Sequence, residues 1–197
     1  MARKYELKKR AERQAGTRRR IVQAAIDLHT TVGPARTTLS AIAAKAGVQR
    51  HTLYAHFPTE GDVMDACSGH YMAEHPPPDP EVWRTIADPW ARLESALAEL
   101  YAWYADNAGM LANVIRDREV HELTRATIER HMGPWGRSAW TALTEGLPAG
   151  GGTAALLALA LEFGTWRSLA GNGVPPEGAA RLMAAAVRAA EPAASPA

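Results

Sequence analysis

Thr37-Thr38-Leu39-Ser40-Ala41-Ile42-Ala43-Ala44-Lys45-Ala46-Gly47-Val48-Gln49-Arg50-His51-Thr52-Leu53-Tyr54-Ala55-His56-Phe57 is the stretch that decides the fold. Leu39, Ile42 and Ala43 share one face of a short helix that runs into Gly47, and a second short helix follows at once. Glycine takes the left-handed conformation that ends a helix without a Cβ clash. Val48 then fits between the two helices, while Gln49, Arg50, His51 and Thr52 open the second one and point outward. This is the pattern of a helix-turn-helix over about 38–45 and 49–55, with Thr38 near the N-cap of its first member. A tight helical hairpin inside an ordinary bundle would share the spacing. The exposed side chains argue for the first reading, because they are the types that read base edges and phosphates.

Working outward, Ile21, Ala25, Leu28 and Val32 recur at helical spacing, with Thr17 as a plausible N-cap and Gly33-Pro34 as the stop. Residues 1–16 form a basic arm without an apolar stripe, either an extension of that helix or a flexible tail. Past the motif, Thr59 caps a helix over 60–74 carrying Val63, Met64, Cys67 and Tyr71. Pro76-Pro77-Pro78-Asp79-Pro80 reads as a stiff, extended spacer. Asp88-Pro89 starts a helix to about Asn107 with Trp90, Leu93, Leu97, Leu100, Tyr101 and Tyr104 on one face. A short helix with Met110, Leu111, Val114 and Ile115 follows, then one over 117–143 that Gly133-Pro134 kinks or divides. After the glycine-rich 148–153, residues 154–170 read as one helix, apolar nearly all round at first and therefore covered on more than one side. Pro175-Pro176 opens the last helix, whose stripe is Leu182, Met183, Ala186, Val187 and Ala190.

No alternating run of β-branched residues stands out, so the fold class is all-α. The expected divisions are a basic arm (1–16), a three-helix DNA-binding domain (17–58), a helical ligand-binding and dimerisation domain (59–191) and a disordered tail (192–197). The net charge of +1 hides an asymmetry: residues 1–57 carry twelve Lys/Arg against three Asp/Glu, and residues 58–197 ten against eighteen. Only the first part is therefore suited to meeting a polyanion. The single cysteine, Cys67, excludes an intramolecular disulfide framework. The charged N-terminus has no signal-peptide core, and the longest apolar run, 154–161, is too short for a bilayer, which needs about 20 residues. A cytoplasmic protein without a membrane partner is expected.

Gln49, Arg50, His51 and Thr52 are the base-reading candidates, since arginine grips guanine bidentately and glutamine does the same for adenine. Thr38 can bond a phosphate through its hydroxyl or the helix N-terminus. Thr37-Thr38, Ile42-Ala43, Ala46-Gly47-Val48, Thr52-Leu53-Tyr54 and His56-Phe57-Pro58 together resemble the TetR family of bacterial transcriptional regulators, over residues 17–66. The resemblance implies backbone-contacting roles for Tyr54 and His56. It also implies a homodimer on a pseudo-palindromic double-stranded operator and a ligand domain that governs release. The chain departs from the family at Pro58-Thr59-Glu60-Gly61-Asp62, where a phosphate-touching lysine usually opens the next helix.

All six tryptophans, Trp83, Trp90, Trp103, Trp135, Trp140 and Trp166, follow the basic segment, against two phenylalanines in the whole chain. Buried indole N–H groups need partners, so a cavity for a mainly apolar effector is expected near them. Its candidate lining is Cys67, Tyr71, Leu100, Trp103, Tyr104, Ile128, His131 and Trp135. The helices over about 153–170 and 176–190 are expected to pair with their copies through Leu156, Leu159, Gly164, Leu182, Met183 and Val187. His70, His75, His121 and His131 lack the i, i+4 spacing of helical zinc motifs, and no cofactor or metal is expected. Neither a nucleophile elbow nor a phosphate-cradling loop is present, since Gly150–Gly152 lacks the Lys-Ser/Thr of a P-loop, so no enzyme is expected. The reading is a ligand-released repressor. The alternatives are a ligand-independent or activating regulator, and a helical small-molecule-binding protein without specific DNA binding.

Overall fold

The structure, a computed structural model, describes residues 2–148 and 150–190, so the tail at 192–197 lies outside the described residues. The helices are α1 (Ala2–Thr31), α2 (Leu39–Lys45), α3 (Arg50–His56), α4 (Glu60–Glu74), α5 (Pro80–Trp83), α6 (Pro89–Asp106), α7 (Ala108–Arg118), α8 (Glu122–Thr144), α9 (Gly151–Leu161), α10 (Phe163–Gly171) and α11 (Pro176–Ala189). A 3-10 turn covers Pro34–Arg36, and no strand occurs among the described residues. The chain divides into two compact units. The first holds the residues up to Pro76 together with Gly109–His131; the second holds Pro77–Ala108 together with the residues from Met132 on.

In the first unit α1 does not begin at Thr17 but runs unbroken from Ala2. Residues 2–15 are almost all good helix formers, without proline, and Lys8 pairs with Glu12 one turn on at 3.9 Å. That outweighs the cost of Gly16 inside the helix, about 1 kcal/mol. The buried face of α1, Ile21, Val22, Ala24, Ala25 and Ile26, packs with Ile42, Ala43, Leu53, Phe57, Val63 and Cys67 in one core. Burying each large member of that core stabilises by roughly 1.5–3 kcal/mol. Val32, expected on the inner face, lies past the end of α1 and is exposed.

The link from α1 to α2 is held by α7. Asn113 Nδ2 donates to Thr30 O at 2.6 Å, Arg116 Nη2 to Val32 O at 3.0 Å, and Ala35 N–H to Asp117 Oδ2 at 2.9 Å. Gly33, at φ 93°, leaves no room for a Cβ, which would collide with Arg116 and Asp117. Burial alone would raise the Asp117 carboxyl. Its bonds from Arg116 and the Ala35 N–H, with Arg36 near, outweigh that and hold it below the usual carboxylate range.

In the second unit α6 packs on α11, α9 and α10. The proline tract is not wholly extended: Asp79 caps α5, which sinks Trp83 completely, its Nε1 donating to Glu99 Oε2 at 2.9 Å. The long helix expected over 154–170 is broken at Glu162, which is extended between α9 and α10. The carbonyls freed there are taken by α6, with Tyr101 Oη donating to Ala160 O at 2.7 Å and Tyr104 Oη to Leu161 O at 2.6 Å. By contrast α8 carries Pro134 inside without interruption.

Candidate nucleic-acid interface

Thr38 N-caps α2, its hydroxyl oxygen accepting from Ala41 N–H at 3.1 Å, which leaves the hydroxyl proton available to a phosphate. Gly47 takes φ 65°, the left-handed value its place in the turn demands. Gln49 occupies the N-cap of α3 without a side-chain cap bond, and Gln49, Arg50 and His51 are all exposed at the start of that helix, with Thr52 half-buried. Arg50 is oriented by the next turn: its Nη2 donates to Tyr54 Oη at 3.3 Å, and its guanidinium carbon lies 5.9 Å from the Tyr54 ring centre. Tyr54 is 40% exposed, so it is not a core filler, whereas Phe57 is fully buried.

Two arginines of α1 hold the ends of the motif, and neither was singled out by sequence reasoning. Arg20 Nε donates to Ala46 O at 3.4 Å, at the C-terminal end of α2. Arg18 Nη1 donates to His56 O at 3.1 Å, at the C-terminal end of α3, and its guanidinium carbon stacks 4.1 Å above the Phe57 ring. Cations at helix C-termini satisfy orphan carbonyls and complement the helix dipole. The available signal was their spacing of two just before the first buried residue, Ile21. At the start of α4, Thr59 and Asp62 form a reciprocal capping box. Those Thr59 bonds, with the Arg18 charge in support, hold the Asp62 carboxyl below its ordinary range.

The residues expected to line an effector cavity divide between the units. Cys67, Tyr71, Ile128 and His131 belong to the first; Leu100, Trp103, Tyr104 and Trp135 belong to the second. Cys67 is buried, and desolvation pushes its thiol up to about 12; its Sγ donates to Met64 O at 3.2 Å and meets His29 Nδ1 at 3.5 Å. His131 stands beside Asp65, 3.4 Å away, with Arg130 bonded to the same carboxylate. In the second unit Tyr104 is ringed by Tyr101, Trp103, Phe163 and Trp166, at centroid distances of 5.3 to 6.2 Å across this group. The Nε1 of Trp166 is buried without a hydrogen-bond partner, and it was absent from the expected lining. Trp135 Nε1 is instead engaged by Pro78 O at 2.7 Å.

Of the residues expected to pair subunits, Met183 and Val187 are buried inside their own unit, 8% and 0% exposed, and leave the interface set. The reason is rotational: α11, which packs on α6, α9 and α10, turns them into the core of the unit, while Leu182 is turned outward at 52% exposure. Leu159 is 49% exposed, Gly164 is exposed and Leu156 half-buried. Leu159, Glu162, Gly164, Thr165, Ser168 and Leu169 line an open groove of about 440 Å³. Among the described residues no cluster of three or more His, Cys, Asp or Glu could hold a metal, and no helix is long and apolar enough to cross a membrane.

Residues 21–67 match the sequence profile of bacterial regulatory proteins of the tetR family. No curated protein sequence matches the chain. Among solved structures, a candidate TetR-family transcriptional regulator from Mesorhizobium loti is 19% identical, with a TM-score of 0.58 over 90% of this chain and 96% of that one. A candidate fatty acid metabolism regulator from Clostridium perfringens is 16% identical, with a TM-score of 0.60 over 89% of this chain and all of that one. The multidrug binding protein EbrR, solved with imidazole, is 20% identical, with a TM-score of 0.59 over 90% of this chain and 96% of that one. The resemblance read from the helix-turn-helix is thus borne out, and the fold is that of TetR-family transcriptional regulators.

Proposed function

We propose that this chain, whose helix-turn-helix is that of the TetR family, is a DNA-binding transcriptional repressor that acts as a homodimer and is released from a pseudo-palindromic operator by a mainly apolar small molecule. The observation that carries the reading is α3: Gln49, Arg50 and His51 stand exposed on its first turn, Arg50 braced by Tyr54, and the helix end is held by Arg18. The recognition surface is therefore preorganised, within the segment whose excess of Lys/Arg over Asp/Glu suits a polyanion. Tyr54, His56 and Thr38 serve the backbone, and the bases are read by Gln49, Arg50, His51 and Thr52. Two subunits place their α3 helices about 34 Å apart on successive major-groove faces.

The effector is assigned to the second unit, where the Tyr104 ring cluster and the unpartnered Trp166 N–H favour an apolar molecule with one hydrogen-bond acceptor. Two chain connections can carry its effect to the motif. Residues 75–79 lead from α5 to α4, which Phe57-Pro58-Thr59 joins to α3, and Asn107 alone joins α6 to α7, the helix that clamps Thr30, Val32 and Ala35 ahead of α2. The effector must bind the non-docking arrangement better, or it shifts nothing.

Selection of binding sites from random duplexes, followed by titration at several salt concentrations, tests the DNA half. A palindrome-like consensus with salt-sensitive affinity is expected; weak binding indifferent to sequence would leave only a helical small-molecule-binding protein. All six tryptophans lie in the second unit, so a compound that releases DNA should also change tryptophan emission at matching concentrations. Release without any emission change would remove the effector from this unit.

A further inference from the structure

Beside the C-terminal end of α3 lies a second polar feature that base reading does not use. Gln14, Ala15 and Arg18 of α1, with Ala55 and His56 of α3, line an open groove of about 330 Å³. Its two alanines keep the floor low, and every polar side chain around it is a donor or can become one. Arg18 is fixed at its rim twice over, by the bond from Nη1 to His56 O and by stacking on Phe57. A guanidinium has five N–H donors, and this one spends a single nitrogen on the protein, so a preformed part of the fork remains for an anion. Its position also answers a local electrostatic problem. Glu60 and Asp62 place two carboxylates in the first turn of α4, just beyond α3, where they repel any phosphate that α3 brings close. The Arg18 charge is near enough to be felt by Asp62.

We propose that this α1–α3 groove is a seat for one DNA backbone phosphate, gripped by Arg18 with Gln14 and His56 assisting, and set outside the base pairs that α3 reads. The proposal rests on the DNA-binding reading above and adds Gln14 and Arg18 to it. The occupant is a backbone phosphodiester, since the groove lies at the C-terminal end of α3, away from the exposed side chains of its first turn, and Arg18 is held there by His56 O and Phe57.

Affinity for the selected operator duplex is measured against salt for the full chain and three variants. Neutralising one phosphate contributes about −0.9 to the slope of log affinity on log salt. Arg18→Ala should make the slope shallower by about that much per subunit, with the sequence preference kept, and Arg18→Lys should restore it. Because Arg18→Ala also removes the cap on His56 O, Gln14→Lys supplies a second reading without touching a cap. It should steepen the slope by about one per subunit, while Gln23→Lys, an exposed change elsewhere on α1, leaves it alone. An Arg18→Ala protein with unchanged slope but relaxed sequence preference would overturn the seat and leave Arg18 as a positioning residue for α3. A Gln14→Lys slope equal to that of Gln23→Lys would overturn it as well. If the unaltered chain shows no sequence-preferring, salt-sensitive binding, the functional reading itself falls, which is a different result from either of these.

Discussion

Arg50 illustrates how much one side chain can be asked to do. It is exposed on the first turn of α3, and the Tyr54 hydroxyl holds its guanidinium in place before any DNA arrives. Replacing it with Ala should cost about 1–3 kcal/mol and relax preference at one operator position, whereas Tyr54→Ala should weaken binding to all duplexes. Selection experiments on the two variants distinguish these outcomes, and an unchanged consensus for Arg50→Ala would take it out of the base-reading set. His29 poses a question of stability. It is 5% exposed, and burial lowers its pKa from 6.5 to about 4, with Asp117 pulling the other way, His121 adding to the depression and Cys67 Sγ at its Nδ1. An unfolded His29 takes up a proton below about 6.5 that the folded one refuses until about 4. The associated stability is therefore full above pH 6.5 and is lost as pH falls toward 4, on the order of 1.4 kcal/mol for each unit within the window. Urea unfolding of wild type and His29→Gln at pH 7 and pH 5 should show the gap between the two proteins closing or reversing at the lower pH. At this scale the exposure of Gln49, Arg50 and His51 was legible because a residue following a helix-turn-helix glycine has few places to point. Arg18 and Arg20 were not, because a basic run gives no sign of which members turn inward to cap a carbonyl.

Elements were read best where a cap and a period agreed. Thr38, Thr59 and Asp88 each mark a helix start in both sequence and structure, and α4 spans the residues its apolar spacing outlines. The misreadings arose where one local signal was weighed without its neighbours. Gly16 and Thr17 suggested a boundary that the helix-forming residues before them erase. The apolar continuity of 154–170 concealed the break at Glu162, since a stripe that is greasy all round carries no phase to interrupt. What makes that break affordable is a pair of hydroxyls on another helix. Tyr101→Phe should leave the Ala160 carbonyl buried and unmatched, at a cost of about 1–3 kcal/mol, without altering the volume of the core. Denaturant midpoints for Tyr101→Phe and Tyr104→Phe measure it, and a midpoint equal to wild type in both would show that water replaces the hydroxyls. Gly33 is the corresponding hinge of the first unit. Its positive φ and its closeness to Arg116 and Asp117 predict that Gly33→Ala destabilises by at least about 1–3 kcal/mol and loosens the turn into α2, with weakened DNA binding as the functional readout.

For the molecule as a whole, charge and tryptophan placement were plain from the sequence, whereas which apolar side chains α9 and α11 leave outside the core required knowing how these helices are rotated. Met183 and Val187 are consumed by the unit's own core, while Leu159 and Leu182 remain at 49% and 52% exposure. Side chains of this kind, left outside a well-filled core, are costly to keep in water and gain by meeting their own copies. The exposed Gly164 in the groove would let the backbone of a second copy come near. Because neither leucine is needed inside the subunit, Leu159→Arg or Leu182→Arg should leave helicity and tryptophan emission close to wild type. Across a subunit interface the same arginine would be a buried charge without a partner, a penalty of several kcal/mol that few dimers withstand. Sedimentation should therefore find dimers for the unaltered chain and monomers for the variants. A monomer carries one α3 and can occupy one half-site only, so its operator affinity should fall steeply while the residual binding keeps the half-site's base preference. Variants that stay dimeric and bind the operator normally would place the contact between copies on another face, with Arg50 and its neighbours still reading bases.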